Sequence, residues 1–493
     1  MVIAALRYRQ QPATGVRRPR VVLRHALVLM SVALGSCMLG PRYVTPSVPQ
    51  AAAFKEAAEW KPARPAEDLP RGNWWEVFGD PRLSELIAKV DVNNQNLRLA
   101  EAQYRQALGL AEQARAGLFP TVSGTAAESR SRSAALPPAP GTAPFTTYSA
   151  GLTASWNTDL WGGIRSAIAA SDASAKASEA TLASARLSVR ALLAQNYFSL
   201  RIADEQRQLL DDAVNNYRVS FKLTQNRYAS GVAAKSDIVQ AETQLRSTEA
   251  NALDVGVQRA QLEHAIAILT GAPPDQLSIA PKPLRRLIPA IPEVVPSQLL
   301  ERRPDVAAAE RLVAAANAQI GVVEAAWFPA LTLNGTLGFR STNFGNLFTL
   351  PARYWSLGPA LAETIFDGGL RTAQKAQAIA AYDAAVATYR NTVLISFQQV
   401  EDNLAALRIL AQESRVLEDA VRLARQSVEL TLNQYKAGTV NYLNVVAVQA
   451  AALANESSAV AAYGRQLNAS VLLIQALGGG WSTADIELTA ASK

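Results

Sequence analysis

Few side chains in this sequence could do covalent chemistry, and the most conspicuous stands alone. Cys37 is the only cysteine in 493 residues, and it follows Leu34-Gly35-Ser36. That is the form of a bacterial lipobox, in which the cysteine thiol is acylated and becomes the mature N-terminus. The run before it, ALVLMSVALGS at residues 26–36, is too short to span a bilayer but has the length of a signal-peptide core. Residues 1–36 are therefore expected to be a lipoprotein signal peptide, and Met38 after the cysteine is compatible with outer-membrane sorting. No disulfide can form within the chain. His25 falls in the signal, and His264 stands on the helical run QLEHAIAIL, where no second ligand accompanies it. The glycines at 478–480 lack a following Lys-Ser/Thr and read as a helix stop, not a phosphate loop. No catalytic residue, metal site or enzyme activity is expected, and no cofactor beyond the covalent lipid on Cys37.

The second conspicuous feature is a pair of matching turns. RYASGVAAKSDIVQAE, residues 227–242, returns 207 residues later as QYKAGTVNYLNVVAVQ. In both, a tyrosine precedes a glycine (Gly231 and Gly438), a polar stretch and a new apolar run, as between two helices. Only the first carries an acid, Asp237, where the second has Asn444. An acid in the first turn of a helix satisfies free N–H groups and is favoured by the helix dipole.

The elements that hold these turns are repeated with them. AEAQYRQALGLAEQARAGLFP at 100–120 matches AERLVAAANAQIGVVEAAWFP at 309–329, and DLWGGIR at 159–165 matches IFDGGLR at 365–371. A unit of ~200 residues is thus duplicated. The chain divides into a signal (1–36), a lipid-anchored extended segment (37–79), a first repeat (80–271), a proline-rich linker (272–296), a second repeat (297–479) and a tail (480–493). Each repeat is expected to hold a helix, two strands and a helical hairpin.

The strands rest on period-two alternation. In residues 148–157, Tyr148, Ala150, Leu152, Ala154 and Trp156 alternate with small polar residues, and residues 331–340 repeat the pattern; 121–127 and 355–361 alternate less richly. Strands of about 10 residues cross a hydrocarbon core when tilted. Phe119, Trp156, Trp161, Trp327, Phe328 and Trp355 stand near their ends, as aromatics of a membrane interface do. No proline interrupts residues 163–228 or 370–435, so each predicts a helix of about 100 Å. Heptads run along both: Leu210, Val214, Tyr217, Phe221, Thr224 and Tyr228, then Leu417, Val421, Ala424, Val428, Thr431 and Tyr435. The return helix continues with Ala241, Leu245, Thr248 and Ala252, and Arg259 interrupts it. No later run of ~18 uninterrupted apolar residues exists, so no helical membrane span is expected.

Composition agrees with this picture. Hydrophobic residues make up 49% but aromatics only 7%, because alanine dominates, and alanine lets helices approach closely. The net charge of +7 is concentrated in the arginines ahead of residue 26, so nucleic acid is not an expected partner. Four amphipathic strands cannot close a membrane barrel alone, since lipid forbids open edges and small barrels have at least ~8 strands. A trimer would supply twelve, enough to begin leaving a lumen.

The chain resembles the outer-membrane factors of tripartite efflux and secretion systems, the TolC-like channel-tunnels, in their OprM/NodT-like lipoprotein branch. The carriers are CMLGPRYVTP, NWWEVFGDPRLSELI, ERRPDVAAAERLVAAANAQIGVVEAAWFPALTL, IFDGGLR, YKAGTVNYLNVV and QALGGGW. The resemblance implies an α+β membrane protein: a homotrimer with a twelve-stranded β-barrel in the outer membrane of a Gram-negative cell and a periplasmic α-barrel of helical hairpins. It implies an equatorial domain built from the linker and both termini. It implies as partners a periplasmic adaptor, an inner-membrane pump of the resistance-nodulation-division type and outer-membrane lipids. It places the gate at the two turns, with Asp237 of the first, Ser236 beside it, hydrogen-bonded to Tyr435 of the second. Leu443 matches an apolar constriction. Asn444 and Ala447 stand where relatives carry acids, and Val440 where some carry a gating arginine. The expected function is export of drugs, toxic compounds or metals. A channel for type I protein secretion, or a non-transporting lipid-anchored coiled-coil scaffold, are the alternatives.

Overall fold

A computed structural model describes residues 38–48, 73–132, 143–282 and 303–479. Cys37, the signal peptide, most of the linker and the tail lie outside the described residues. The elements run α1 (Pro81–Asn93), α2 (Gln95–Ala116), β1 (Thr121–Ser131), β2 (Phe145–Asn157), α3 (Gly163–Ala229) and α4 (Lys235–Leu269). The second half repeats this as α5 (Pro304–Ala325), β3 (Ala330–Ser341), β4 (Arg353–Ala362), α6 (Leu370–Ala437) and α7 (Tyr442–Ala476). The chain forms two units, one of residues 1–42, 113–169 and 317–379, the other of 43–112, 170–316 and 380–493. Each draws on both sequence repeats.

The first unit holds a four-stranded antiparallel sheet in the order β1-β2-β3-β4. Its register sets like against like. Leu152 lies opposite Gly124 and Leu337, and Leu337 opposite Trp355, giving one apolar face; Thr153 lies opposite Ser123 and Thr336, and Thr336 opposite Ser356, giving a polar one. On the polar face Ser155 Oγ donates to Asn334 Oδ1 at 2.9 Å, and the Thr336 and Ser356 hydroxyls are 2.9 Å apart. Among the described residues, neither outer strand, β1 or β4, has a second neighbour. Where the sheet meets the long helices, an aspartate starts each helix. Asp159 accepts from Ile164 N and Arg165 N and pairs with the Arg165 guanidinium at 3.1 Å; Asp367 accepts from Gly369 N and pairs with Arg371 at 2.6 Å. Arg371 holds the Asp367 carboxyl below the usual carboxylate range.

The second unit has its core where Trp74, Trp75 and Phe78 of a short 3₁₀ turn and Leu83, Leu86, Ile87 and Val90 of α1 pack on α3 and α7. Asp80 caps α1 as the Asp-Pro pair predicts, accepting from Arg82 N at 2.9 Å. It also accepts from the Tyr197 hydroxyl at 2.7 Å, which in turn accepts from Arg201 at 3.1 Å. Arg201 pairs with Asp204 at 3.1 Å, and Asp204 with Arg259 at 2.7 Å, all at under a fifth side-chain exposure. This explains the heptad interruption at Arg259. It is spent on a buried ion pair and on the Ile279 carbonyl at the start of the linker, which Glu263 grips by accepting from Ile279 N at 2.5 Å.

Two features go beyond the sequence expectations. Residues 38–48, within the segment expected to be extended, are also held: Asn317 donates to the Pro41 carbonyl at 2.9 Å, Tyr43 to Glu310, and Arg390 to the Ser47 carbonyl at 3.0 Å. Two helices, α5 and α7, do carry an 18-residue window as apolar as a membrane span, with mean hydropathies of 1.2 and 1.3. The search for uninterrupted runs missed them because alanine raises the mean between scattered polar residues.

Candidate functional site

The two hairpin tips are built alike. Gly231 (φ 76°) and Gly438 (φ 81°) take the left-handed conformation that ends a helix. In the first, Gly231 N donates to the Tyr228 carbonyl and Val232 N to that of Arg227, both at 2.9 Å. In the second, Gly438 N donates to Tyr435 and Thr439 N to Gln434, both at 3.0 Å. Each pair is a Schellman motif.

The helix that follows is capped from opposite ends in the two copies. At the start of α4 the N-cap is Ala234, which has no side-chain oxygen, and Asp237 three residues on reaches back to accept from Ala234 N at 3.4 Å. At the start of α7 the N-cap is Asn441, whose side chain accepts from Asn444 N at 3.3 Å. The acid stands in the first copy because its cap residue cannot serve; Asn441 removes the need for one at Asn444.

The expected bond from Asp237 to Tyr435 is not made within the chain. Tyr435, 2% exposed, has its hydroxyl 3.4 Å from Thr224 Oγ1, its ring edge-on to Tyr442 at 5.5 Å, and the Arg227 guanidinium over its face at 4.7 Å. Asp237 is occupied with its own helix end, which is the physical reason for the difference. Ser236 is exposed beside it. Tyr228, expected at the seam like its repeat-mate Tyr435, is 45% exposed; Arg227 takes the inward place and donates to the Lys436 carbonyl. Sequence reasoning passed over Arg227, although its counterpart Gln434 breaks the repeat. It also passed over a repeated bridge: Arg218 with Glu249 at 3.2 Å, and Arg425 with Glu456 at the same offset. Leu443, Asn444 and Ala447 share one exposed stripe of α7, while Tyr442 and Val445 beside them are buried.

The aromatics group at both ends of the sheet. At the helix-bearing end Trp156 donates to the Leu118 carbonyl at 2.9 Å and Trp161 to that of Pro329 at 2.8 Å. Trp161 stacks on Phe328 at 4.9 Å, and Arg371 lies over Trp327. Phe119 is exposed. Trp355 belongs to the other end, where Tyr148 meets Phe344 at 5.5 Å and Phe339 meets Phe348 at 5.6 Å. This second rim was seen in the sequence only as Trp355, because Phe344 and Phe348, on which Tyr148 and Phe339 pack, lie in an irregular loop. Cys37 lies outside the described residues.

Comparison with known proteins agrees with this architecture. The chain is 31% identical to the probable efflux pump outer membrane protein TtgC of Pseudomonas putida, over 92% of this chain and 95% of the relative. It is 30% identical to the outer membrane protein OprJ of Pseudomonas aeruginosa, over 96% and 97%. The solved structure of the outer-membrane channel OprN superposes with a TM-score of 0.83 at 30% identity, covering 90% of this chain and all of the other. The family model for outer membrane efflux proteins matches residues 86–272 and 295–479. With both repeats matched by the family model and a solved channel of the same fold at 30% identity, this chain belongs to the outer membrane efflux protein family.

Proposed function

We propose that three copies of this chain close their sheets into one twelve-stranded barrel and form the outer-membrane channel of a tripartite efflux pump. The observation that carries the reading is the sheet itself: an apolar face with aromatics at both ends, a polar opposite face, and two edges unpaired among the described residues. Only closure with other copies satisfies those edges in lipid. The long hairpins then form the periplasmic conduit, and a periplasmic adaptor and an inner-membrane pump of the resistance-nodulation-division type deliver small toxic molecules to it. Cys37, acylated, anchors the mature N-terminus, and Cys37→Ser abolishes palmitate labelling.

The gate-lining surface is the exposed stripe of Leu443, Asn444 and Ala447, apolar and amide-bearing, without an acidic ring. The test is conductance of purified protein in planar bilayers, together with heat-modifiable migration as a trimer. Conducting trimers with weak block by divalent cations, strengthened in Asn444→Asp, are expected; a monomer without conductance refutes the reading.

A further inference from the structure

The polar face of the sheet carries one charge among its described residues, and its position is specific. Arg340 lies opposite Ser149 and so shares the face of Thr153 and Thr336. The other charged strand residues, Glu128, Arg130 and Arg353, lie opposite Tyr148, Thr146 and Phe339 on the apolar face near the same end. The connections of residues 132–144 and 342–352 hold no acid and a single base, Arg132, next to the end of β1. No carboxylate pairs with Arg340 among the described residues, and its side chain is exposed.

What holds Arg340 is an aromatic platform. Its guanidinium carbon sits 5.2 Å from the centroid of Tyr354. The Tyr354 side chain reaches over two facing glycines, Gly151 and Gly338. A methyl group on Gly338 would come within 3.0 Å of the ring, and one on Gly151 within 3.2 Å of the hydroxyl. The facing strand comes closer still, with the Leu337 carbonyl oxygen 2.9 Å from a methyl on Gly151 and the Ala150 carbonyl oxygen 2.7 Å from one on Gly338. Close backbone approach therefore requires glycine at both positions, and the ring occupies the space this leaves. A guanidinium held over an aromatic ring and paired with no carboxylate keeps N–H donors for an anion, and its planar fork can grip a carboxylate or phosphate in two places.

We infer that Arg340 on its Tyr354 platform is an anion-binding site in the outer part of the barrel lumen, and that it favours passage of solutes bearing carboxylate or phosphate groups. The inference rests on the trimeric barrel proposed above. Three copies give a ring of three guanidiniums with no acid on the same face, inside a low-dielectric wall that focuses their field.

The probe is tripolyphosphate added to the barrel side of purified channels in planar bilayers. Wild type is expected to be blocked. Arg340→Gln raises the half-blocking concentration about tenfold, as loss of one charge-assisted pair per chain implies, and moves the reversal potential in a KCl gradient toward potassium selectivity. Arg340→Lys keeps the charge and retains most of the selectivity, and Tyr354→Ala weakens block while leaving the charge in place. Trimer migration on gels confirms that each variant assembles. Equal block and equal reversal potential in wild type and Arg340→Gln overturn the inference and leave the channel standing. Absence of conductance in wild type overturns the channel and the inference with it.

Discussion

The hydroxyl of Tyr435 lies 3.4 Å from Thr224 Oγ1. Thr224 already gives its proton to the Ser220 carbonyl at 2.9 Å, so Tyr435 is the donor. The second tip is thereby tied to the shaft of the first hairpin, and Asp237 contributes through its own helix end. An acid and a tyrosine that match a gate by position have here separate structural duties.

Tyr435→Phe is expected to lose one neutral hydrogen bond, about 1 kcal/mol. Tyr435→Ala also removes a buried ring packed on Tyr442 and Arg227, about 3–5 kcal/mol. Hydrogen exchange of the amides at 221–229 and 432–445 checks this. Strong deprotection in the alanine variant and slight deprotection in the phenylalanine variant is the expected order.

Gly438→Ala forces a Cβ onto a φ of 81° and is expected to cost about 1–2 kcal/mol. Gly231 is the cleaner test, since nothing lies within 4 Å of the added methyl and backbone strain alone counts. Limited proteolysis at the tips should accelerate in both alanine variants and less in the asparagine ones, because asparagine tolerates this conformation. Unchanged cleavage in Gly231→Ala would argue against the cap geometry.

Asp204 sits between Arg201 and Arg259 with a side chain only 3% exposed. Asp204→Ala strands two guanidiniums and is expected to destabilise the second unit by about 3–5 kcal/mol. It should also release the linker start, since Lys282 N donates to the same carboxylate. Denaturant melts and protease susceptibility near residue 282 read the two effects separately.

Burial pushes the phenols of Tyr197 and Tyr442 up from 10.0 to about 12, aided for Tyr197 by its bond to Asp80. Both must therefore stay protonated in the folded chain. Their contribution is whole below pH 10.0 and is lost as pH climbs toward about 12. Alkaline unfolding followed by phenolate absorbance should fall in that window. Tyr442→Phe should flatten the decline, and an unchanged profile would remove Tyr442 from the account.

The strands and shafts were legible because they rest on local periodicity. Alternation set the polar and apolar faces, and two proline-free stretches marked α3 and α6 to within two residues of their ends. The tips were legible because glycine is the residue that turns left-handed cheaply. What depends on partners far along the chain was hidden. Arg259 looks like a flaw in a heptad until Asp204, 55 residues earlier, is brought beside it. Tyr228 and Tyr435 are equivalent in the repeat, yet one is exposed and the other buried, because only one meets a neighbouring hairpin. The difference between Asp237 and Asn444 was visible as letters, but its cause lies three residues upstream, in Ala234 and Asn441.

The sheet's two bare edges also bear on how the molecule matures. A strand pair that finds its last hydrogen-bond partners only on other molecules makes collision a step in folding. The shafts have their own intrachain contacts and should acquire helix at a rate independent of dilution. With the sheets closing between copies as proposed, completion of the barrel should instead accelerate steeply as protomers become more concentrated. The protein would then mature in two kinetic regimes, one private to each chain and one collective.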